Sequence, residues 1–145
     1  IILGKPGDAR TPRPGDFVAP ISFLGSATYT AGKVNGVETL FILDNGSGFT
    51  ILDAKSAKAA HVDADPAEAT VLGASGAKSA IHHASAKSIT LAGHDLADLP
   101  VMVGALPIFQ KTRGQQNPAI MGNSVLSRFS RVEIDFDQAQ LRLIP

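Results

Sequence analysis

The sequence predicts an all-β protein, a compact barrel or sandwich of short strands with one or two short helices. Short apolar runs recur at close spacing, Gly-rich and Asn-rich turns separate them, and only residues 54–60 and 124–129 carry helix-forming patterns. The 145 residues amount to one domain. Residues 1–20 are rich in Pro and Gly, which favours an extended arm or linker. The domain itself is therefore predicted to span residues 21–145.

Composition excludes several classes of function. Thirteen Lys and Arg balance 13 Asp and Glu, so the formal net charge is zero and no nucleic-acid partner is expected. No run of about 18 apolar residues is present, so no transmembrane segment is predicted in this chain. The absence of Cys excludes disulfides, thiolate metal sites and a Cys nucleophile.

The first half is predicted to form hairpins and one helix. Asn35-Gly36 lies between strand patterns at 27–34 and 39–43, and both residues tolerate the positive φ of a tight hairpin turn. Residues 39–43 are apolar enough to be buried on both faces. After a turn at 44–48 the strand pattern resumes at 49–52. Asp53 is then predicted to cap a helix over 54–60.

The second half is predicted to start with a polar loop, 61–68, that Pro66 interrupts. A hairpin with a glycine tip at 73–76 follows, and then further strands and a surface loop over 111–118. Asn123 is predicted to cap the helix 124–129. In the strand 132–136 apolar residues alternate with acidic ones, which predicts a solvated face for Asp135 and Asp137. Residues 141–144 close the last hairpin.

Asp44 is the first candidate for chemistry. It follows an apolar strand that enters the core, and a buried carboxylate is costly unless hydrogen bonds stabilise it. The residues that follow, Gly46 to Gly48, can supply N–H groups and a hydroxyl. The same residues would also form an ordinary Asx turn, so this segment alone leaves both interpretations open.

A weak internal echo accompanies Asp44. Residues 41–46 and 118–123 both run from apolar residues into a glycine turn, and Gly46 and Gly122 are 122 − 46 = 76 residues apart. Two related β-units would generate such an echo. The position in the second half that matches Asp44 falls at Met121-Gly122, which holds no acid.

Four segments resemble the retropepsin-like aspartic proteases. Residues 34–48 are similar to the active-site hairpin of that family, in which an Asn-Gly turn precedes an apolar strand ending in Asp-Thr/Ser-Gly. Residues 119–129 resemble its second signature, an apolar pair, a Gly and a short helix. Residues 132–143 resemble the closing strands of its bacterial single-domain members, and residues 73–76 fall where the family has its flap. The resemblance covers residues 26–144.

The resemblance implies a retropepsin-like lobe, a compact closed barrel that hydrolyses peptide bonds in a peptide or protein substrate. It implies that Asp44 is catalytic and that the Ser47 hydroxyl donates to its carboxylate. It requires no metal or organic cofactor. The remaining implied site residues are the active-site loop (Asn45, Gly46, Ser47), the flap (Gly73, Ala74, Ser75, Gly76) and the floor of apolar substrate pockets (Ile120, Met121, Gly122).

A single Asp-x-Gly supplies only one of the two carboxylates that this chemistry needs. The resemblance implies a homodimer in which each copy gives Asp44, and a second lobe of a longer parent chain is the other source. Asn45 departs from the Thr or Ser that is usual in the family. The alternative function is therefore a degenerate module that binds peptides or dimerises without cleaving.

Two further kinds of site are less well supported by the sequence. A metal-dependent hydrolase would use the histidines, but His82 and His83 are adjacent in a strand and so point to opposite faces. A Ser nucleophile would need a Gly-x-Ser-x-Gly elbow, which the sequence lacks.

Overall fold

The computed structural model describes residues 11–73, 75–112 and 117–145, and most of these residues lie in β-strands. No helix within these ranges is long and apolar enough to cross a membrane. The described elements, in chain order, are β1 (Phe17–Leu24), β2 (Ala27–Val34), β3 (Val37–Leu43), β4 (Ile51–Leu52), α1 (Ala54–Ala59), β5 (Ala64–Leu72), β6 (Lys78–Leu91), β7 (His94–Gly104), α2 (Pro107–Gln110), β8 (Pro118–Met121), α3 (Asn123–Leu126), β9 (Arg131–Asp135) and β10 (Gln140–Ile144).

The strands form one sheet in the order β5-β6-β7-β4-β8-β3-β2-β1-β10-β9. Because β2 also pairs with β6, the strands from β6 to β2 in this order form a closed circuit of pairings. Two pairings are parallel, β3 with β8 and β4 with β7, and the other described pairings are antiparallel. The predicted all-β fold is confirmed.

Strand β1 joins the C-terminal hairpin to the rest of the sheet. Its first half pairs with β10, from Phe17↔Leu143 to Pro20↔Gln140. Its second half pairs with β2, from Ile21↔Thr30 to Leu24↔Ala27. The sheet thus already includes the last four residues of the predicted arm, whose residues 1–10 lie outside the described ranges.

Two local predictions of the first half are confirmed. Asn35 (φ 48°) and Gly36 (φ 80°) form the hairpin turn between β2 and β3. The Asn35 side chain also donates to the Ala60 carbonyl (2.9 Å) and accepts from the Ser88 N–H (3.0 Å), so it links the turn to α1 and β6. Asp53 caps α1 by accepting from the Lys55 N–H (3.0 Å).

The strand that leads to Asp44 is packed on both faces, as predicted. On one face Phe41 belongs to the main core, with Leu52, Met121 and other buried residues of β2, β6, β7 and β10. On the opposite face Ile42 belongs to a smaller core with Ile51, Ile120 and Phe109. Burial of both faces holds the end of β3, and with it Asp44, in a fixed place.

Several predicted boundaries are wrong. Strand β5 begins at Ala64, inside the predicted loop, and its pairing with β6 shifts register between Ala64 and Glu68. Pro66 is tolerated there because β5 is an edge strand with an irregularity, where no ladder N–H is required. Strand β6 is one strand of 14 residues, and α2 is a short helix that the sequence did not indicate. The predicted loop 111–118 lies partly outside the described residues.

The predicted solvent exposure is confirmed for Asp137 and is wrong for Asp135. Asp135 is 9% exposed, whereas Ile134 and Phe136 are 37% and 62% exposed. The cause is Arg142 of β10, which is 1% exposed and makes ion pairs with Glu133 (2.7 Å) and Asp135 (3.3 Å). A buried guanidinium requires carboxylate partners, so Glu133 and Asp135 are covered on the face that they share with Arg142, while Val132 on the opposite face packs against the main core.

Candidate active site

Asp44 lies directly after β3, at the start of a loop that runs to Thr50. Its carboxylate is half-buried, and Oδ1 accepts a hydrogen bond from the Gly46 N–H (2.9 Å). Its main chain is held on both sides, because Asp44 N–H donates to the Met121 carbonyl (3.1 Å) and Asp44 O accepts from the Ser47 N–H (3.2 Å). In the described part of the chain, Oδ2 has no hydrogen-bond partner. The loop therefore fixes one carboxylate oxygen and leaves the other available.

The two segments of the internal echo lie side by side. Strands β3 and β8 pair in parallel, with Phe41 opposite Ala119 and Leu43 opposite Met121. This register corresponds to an offset of 121 − 43 = 78 residues, not the 76 that the glycine positions indicated. The residue after Leu43 is Asp44 and the residue after Met121 is Gly122, so a glycine occupies the place beside Asp44 where a second acid would stand.

Main-chain hydrogen bonds join the Asp44 loop to the segment after β8. The Asn123 N–H donates to the Ser47 carbonyl (2.9 Å) and the Ser124 N–H to the Gly48 carbonyl (3.1 Å). Gly122 makes this approach possible, because a Cβ there would lie 2.1 Å from the Phe49 carbonyl oxygen. The two segments of the candidate site are thus in direct backbone contact.

Side chains complete this connection, and sequence reasoning missed two of them. Thr50 Oγ1 accepts from the Gly122 N–H (3.1 Å), and Ser124 Oγ accepts from the Thr50 N–H (2.9 Å). A Thr shortly after Asp-x-Gly and a Ser shortly after Gly122 were visible in the sequence. Their pairing was not, because it depends on the parallel register of β3 and β8.

Two predicted side-chain contacts differ in the structure. Ser47 Oγ donates to the Phe49 carbonyl (2.7 Å), so the donor to the Asp44 carboxylate is the Gly46 N–H and not this hydroxyl. Asn123 is the first residue of α3 and makes no cap bond, since Gly122 is the N-cap residue. The Asn123 side chain instead donates to the Asn45 carbonyl (2.9 Å). The Asn45 side chain itself is exposed.

The residues predicted for the pocket floor are buried in this chain. Ile120, 5% exposed, packs in the smaller core, and Met121, 0% exposed, packs in the main core. Both side chains support the end of β8 beneath Gly122.

The predicted flap is the tip of the hairpin formed by β5 and β6. The Gly73 N–H donates to the Ala77 carbonyl (2.8 Å), and the Gly76 N–H donates to the Gly73 carbonyl (2.9 Å). Gly76 has φ 79°, a conformation that favours glycine. Ala74 lies outside the described residues. A shallow, open depression at the base of this hairpin, lined by residues 63–66, His83 and Ala84, contains none of the predicted site residues.

The histidines make other contacts. His82 Nδ1 lies 3.0 Å from the Asp65 carbonyl oxygen. His94 stacks on Phe17 with 4.2 Å between the ring centroids and meets Phe129 edge-on at 5.8 Å. Within the described residues, no three His, Asp or Glu side chains are grouped so that they could hold a metal ion.

Comparison with known proteins agrees with this geometry. The family model described as "Aspartyl protease" matches residues 30–125, which is more than half of the chain and includes both segments of the candidate site. No curated protein matches the chain.

Solved structures give the fold. The chain is similar to a retropepsin-like aspartic protease from Rickettsia conorii, with a TM-score of 0.66 and 21% identity over 90% of this chain and 100% of that chain. It is also similar to the retroviral protease-like domain of Ddi1 from Leishmania major, with a TM-score of 0.51 and 19% identity over 79% of this chain and 86% of that chain. The chain therefore belongs to the aspartyl protease family and has the retropepsin-like, single-lobe fold.

Proposed function

We propose that the chain is an aspartic endopeptidase whose active site combines Asp44 of one copy with Asp44 of a second copy. The observation that supports this most directly is the state of Asp44. Its carboxylate lies on an immobilised loop, with Oδ1 bound by the Gly46 N–H and Oδ2 available to a substrate, a water or a second carboxylate. Membership of the aspartyl protease family supports the same chemistry.

A second copy is invoked because, among the residues that the structure describes, the position beside Asp44 is a glycine and not an acid. Gly122 occupies the adjacent position on β8, and the sequence contains one Asp-x-Gly only. In a two-fold dimer each copy presents the same surface, so a loop near the axis would meet its own equivalent. A second lobe encoded in a longer parent chain would supply the same group.

The proposed reaction needs the two carboxylates in different protonation states. Like charges about 3 Å apart cannot both ionise, so the pair shares one proton. The charged carboxylate takes a proton from water as the water oxygen attacks the peptide carbonyl carbon, and the protonated carboxylate donates to the carbonyl oxygen. The C–N bond then breaks as the leaving nitrogen takes the proton that the first carboxylate accepted from water, and the new hydroxyl group returns a proton to the other carboxylate, so the pair again shares one proton.

The hairpin of β5 and β6 is proposed as the flap. Gly73, Ser75 and Gly76 at its tip are exposed, and Leu72 beside them is 66% exposed. Because β5 is an edge strand, it can pair with an extended peptide, and the hairpin can cover that peptide during the reaction.

The test compares Asp44→Asn with Asp98→Asn. Each protein is incubated with a mixed peptide library at mildly acid pH, and cleaved bonds are identified by mass spectrometry. Asp98 is the matched control because it is exposed and has φ 50°, which Asn tolerates well. We expect at least about a 1000-fold loss of cleavage for Asp44→Asn, of the order seen when a group of a catalytic constellation is removed, and none for Asp98→Asn. Cleavage that persists in Asp44→Asn would refute the proposal.

Asn45 favours the second candidate function, a module that binds peptides or dimerises without cleaving. The family usually has a hydroxyl residue at this position, and Asn45 presents an exposed amide instead. The same library experiment separates the two functions. A wild-type protein that retains peptides but releases no products would support the binding module.

A further inference from the structure

Two hydroxyl groups connect the Asp44 loop to the segment after β8. Thr50 Oγ1 accepts from the Gly122 N–H, and Ser124 Oγ accepts from the Thr50 N–H. Thr50 is completely buried and Ser124 is half-buried. Each side chain therefore satisfies a main-chain N–H of the other segment, and the two bonds are reciprocal.

These bonds lie at the end of β8, where the chain crosses from β3 on one side of β8 to β4 on its other side. The parallel pairing with β3 ends at Leu43↔Met121, and the antiparallel pairing with β4 begins at Ile51↔Ile120. Residues 44–50 leave β8 on one side and return on the other. No strand pairing holds this loop. The Asp44 N–H secures its near end at the Met121 carbonyl, the main-chain bonds to the Ser47 and Gly48 carbonyls hold its middle, and the hydroxyls of Thr50 and Ser124 secure its far end.

We propose that Thr50 and Ser124 are positioning residues for Asp44. The Thr50 hydroxyl binds the Gly122 N–H and so holds the preceding Met121 carbonyl, which accepts from the Asp44 N–H, and the Ser124 hydroxyl holds Thr50 itself. Neither hydroxyl is bonded to the Asp44 carboxylate, so both act through the backbone. The proposal rests on the proposed peptidase function, in which a small displacement of a reacting group is costly. A misplacement of about 1 Å can lower a rate by about 100-fold.

The test uses variants that remove or keep each hydroxyl. Thr50→Val and Ser124→Ala remove the acceptors, whereas Thr50→Ser and Ser124→Thr keep them. Two matched controls remove a buried hydroxyl elsewhere. Thr30→Val loses a bond to the Pro20 carbonyl (3.0 Å), and Ser56→Ala loses a bond to the Pro118 carbonyl (2.9 Å) at the opposite end of β8.

We expect kcat to fall at least about tenfold in Thr50→Val and Ser124→Ala, with KM within about threefold of the wild type, because substrate still binds but the carboxylate is displaced. Thr50→Ser and Ser124→Thr should stay within about threefold in kcat. The two controls should leave kcat unchanged. Equal kcat in Thr50→Val and Thr30→Val, or equal loss in Thr50→Val and Thr50→Ser, would overturn the proposal.

Hydrogen exchange provides a readout that does not depend on activity. The Gly46 N–H, which binds Asp44 Oδ1, contacts neither hydroxyl. We expect its exchange to be at least about tenfold faster in Thr50→Val and unchanged in Thr30→Val, since only the former loosens the loop. An unchanged exchange rate of the Gly46 amide in Thr50→Val would refute the positioning role, whether or not the wild type cleaves peptides. A wild type that cleaves nothing would instead count against the proposed peptidase function. If Thr50→Val does not fold, Ser124→Ala gives the same comparison.

Discussion

Gly122 lies where the chain after β8 passes against the loop that carries Asp44. A Cβ at this position would be 2.1 Å from the Phe49 carbonyl oxygen and 2.9 Å from the Ser47 carbonyl oxygen. Both neighbours are backbone atoms, so neither can rotate away as a side chain would. This contact makes Gly122 the residue of the site that tolerates substitution least.

Gly122→Ala is therefore expected to destabilise the protein by about 3 kcal/mol, the upper part of the usual range for overpacking. Unfolding in urea, followed by circular dichroism, measures the change. Gly48→Ala is the control in the same loop, because a Cβ there meets nothing within 4 Å and φ is not in the left-handed region. Similar urea midpoints for Gly122→Ala and Gly48→Ala would show that the contact between Gly122 and the loop backbone does not limit substitution there.

Single residues of the site differ in how visible they were in the sequence. Asp44 could be selected as a candidate because an ionisable residue directly after an apolar strand is unusual, and the segment also resembles a known family. The contact between Asn123 and the Asn45 carbonyl could not, because its acceptor lies 78 residues away in the chain. An Asn before a short helix is ordinarily interpreted as its N-cap, but the Asn123 side chain instead donates to the distant Asn45 carbonyl.

At the scale of elements, the hairpin of β9 and β10 depends on a buried cation. Arg142 is almost fully buried between Glu133 and Asp135, while Arg131 contacts Glu133 from a half-exposed position. The pairing Arg142↔Glu133 places both residues on one face of the hairpin. A shift by one residue would move the guanidinium to the face of Leu141 and Leu143, so the ion pairs also specify the register.

Arg142→Leu is expected to cost about 3–5 kcal/mol, because two buried carboxylates lose their main cationic partner. Arg131→Leu is the matched control. It removes a guanidinium from the same Glu133, but at a site where solvent already screens the charge, and should cost less than about 1 kcal/mol. Thermal unfolding of both variants at neutral pH tests this difference. Equal losses would mean that burial of Arg142 does not determine the effect.

Elements fixed by local chemistry were predictable, and those fixed by distant partners were not. The Asn35-Gly36 turn and the Asp53 cap depend on neighbours in sequence, and both were predicted correctly. Strand β9 has the alternation of a strand with an apolar inner face, yet Asp135 faces Arg142 of the next strand. Alternation separates the two faces of the strand but does not show that the acidic face is also covered, which here depends on the buried Arg142 of β10.

At the scale of the whole molecule, the all-β class and the family could be predicted from the order of the motifs. The register between β3 and β8 could not, because glycines in the two segments are not equivalent positions. The closed circuit of pairings also depends on contacts between β2 and β6 that no local pattern marks.

The proposed homodimer makes a prediction about mixed assemblies. Wild-type and Asp44→Asn chains are co-expressed in equal amounts, and cleavage is compared with wild type at the same total concentration. Random two-fold assembly gives about a quarter wild-type dimers, so activity should fall to about a quarter and not to half.

Wild type co-expressed with Asp98→Asn is the control and should keep full activity. An activity of one half would show that each wild-type chain works without the Asp44 of a partner. Sedimentation of the wild type alone then establishes whether it is a monomer.

The wide separation of the two halves of the site also has a consequence for how the chain folds. Strands β3 and β8 pair at an offset of 121 − 43 = 78 residues, and such distant parallel pairings form slowly because a long loop must close first. During synthesis Asp44 emerges well before Gly122, so for that period its loop lacks the segment that shapes it. The Asp44 carboxylate therefore acquires its final surroundings only after most of the polypeptide has been made, and the proposed active site would form late in the synthesis of the chain.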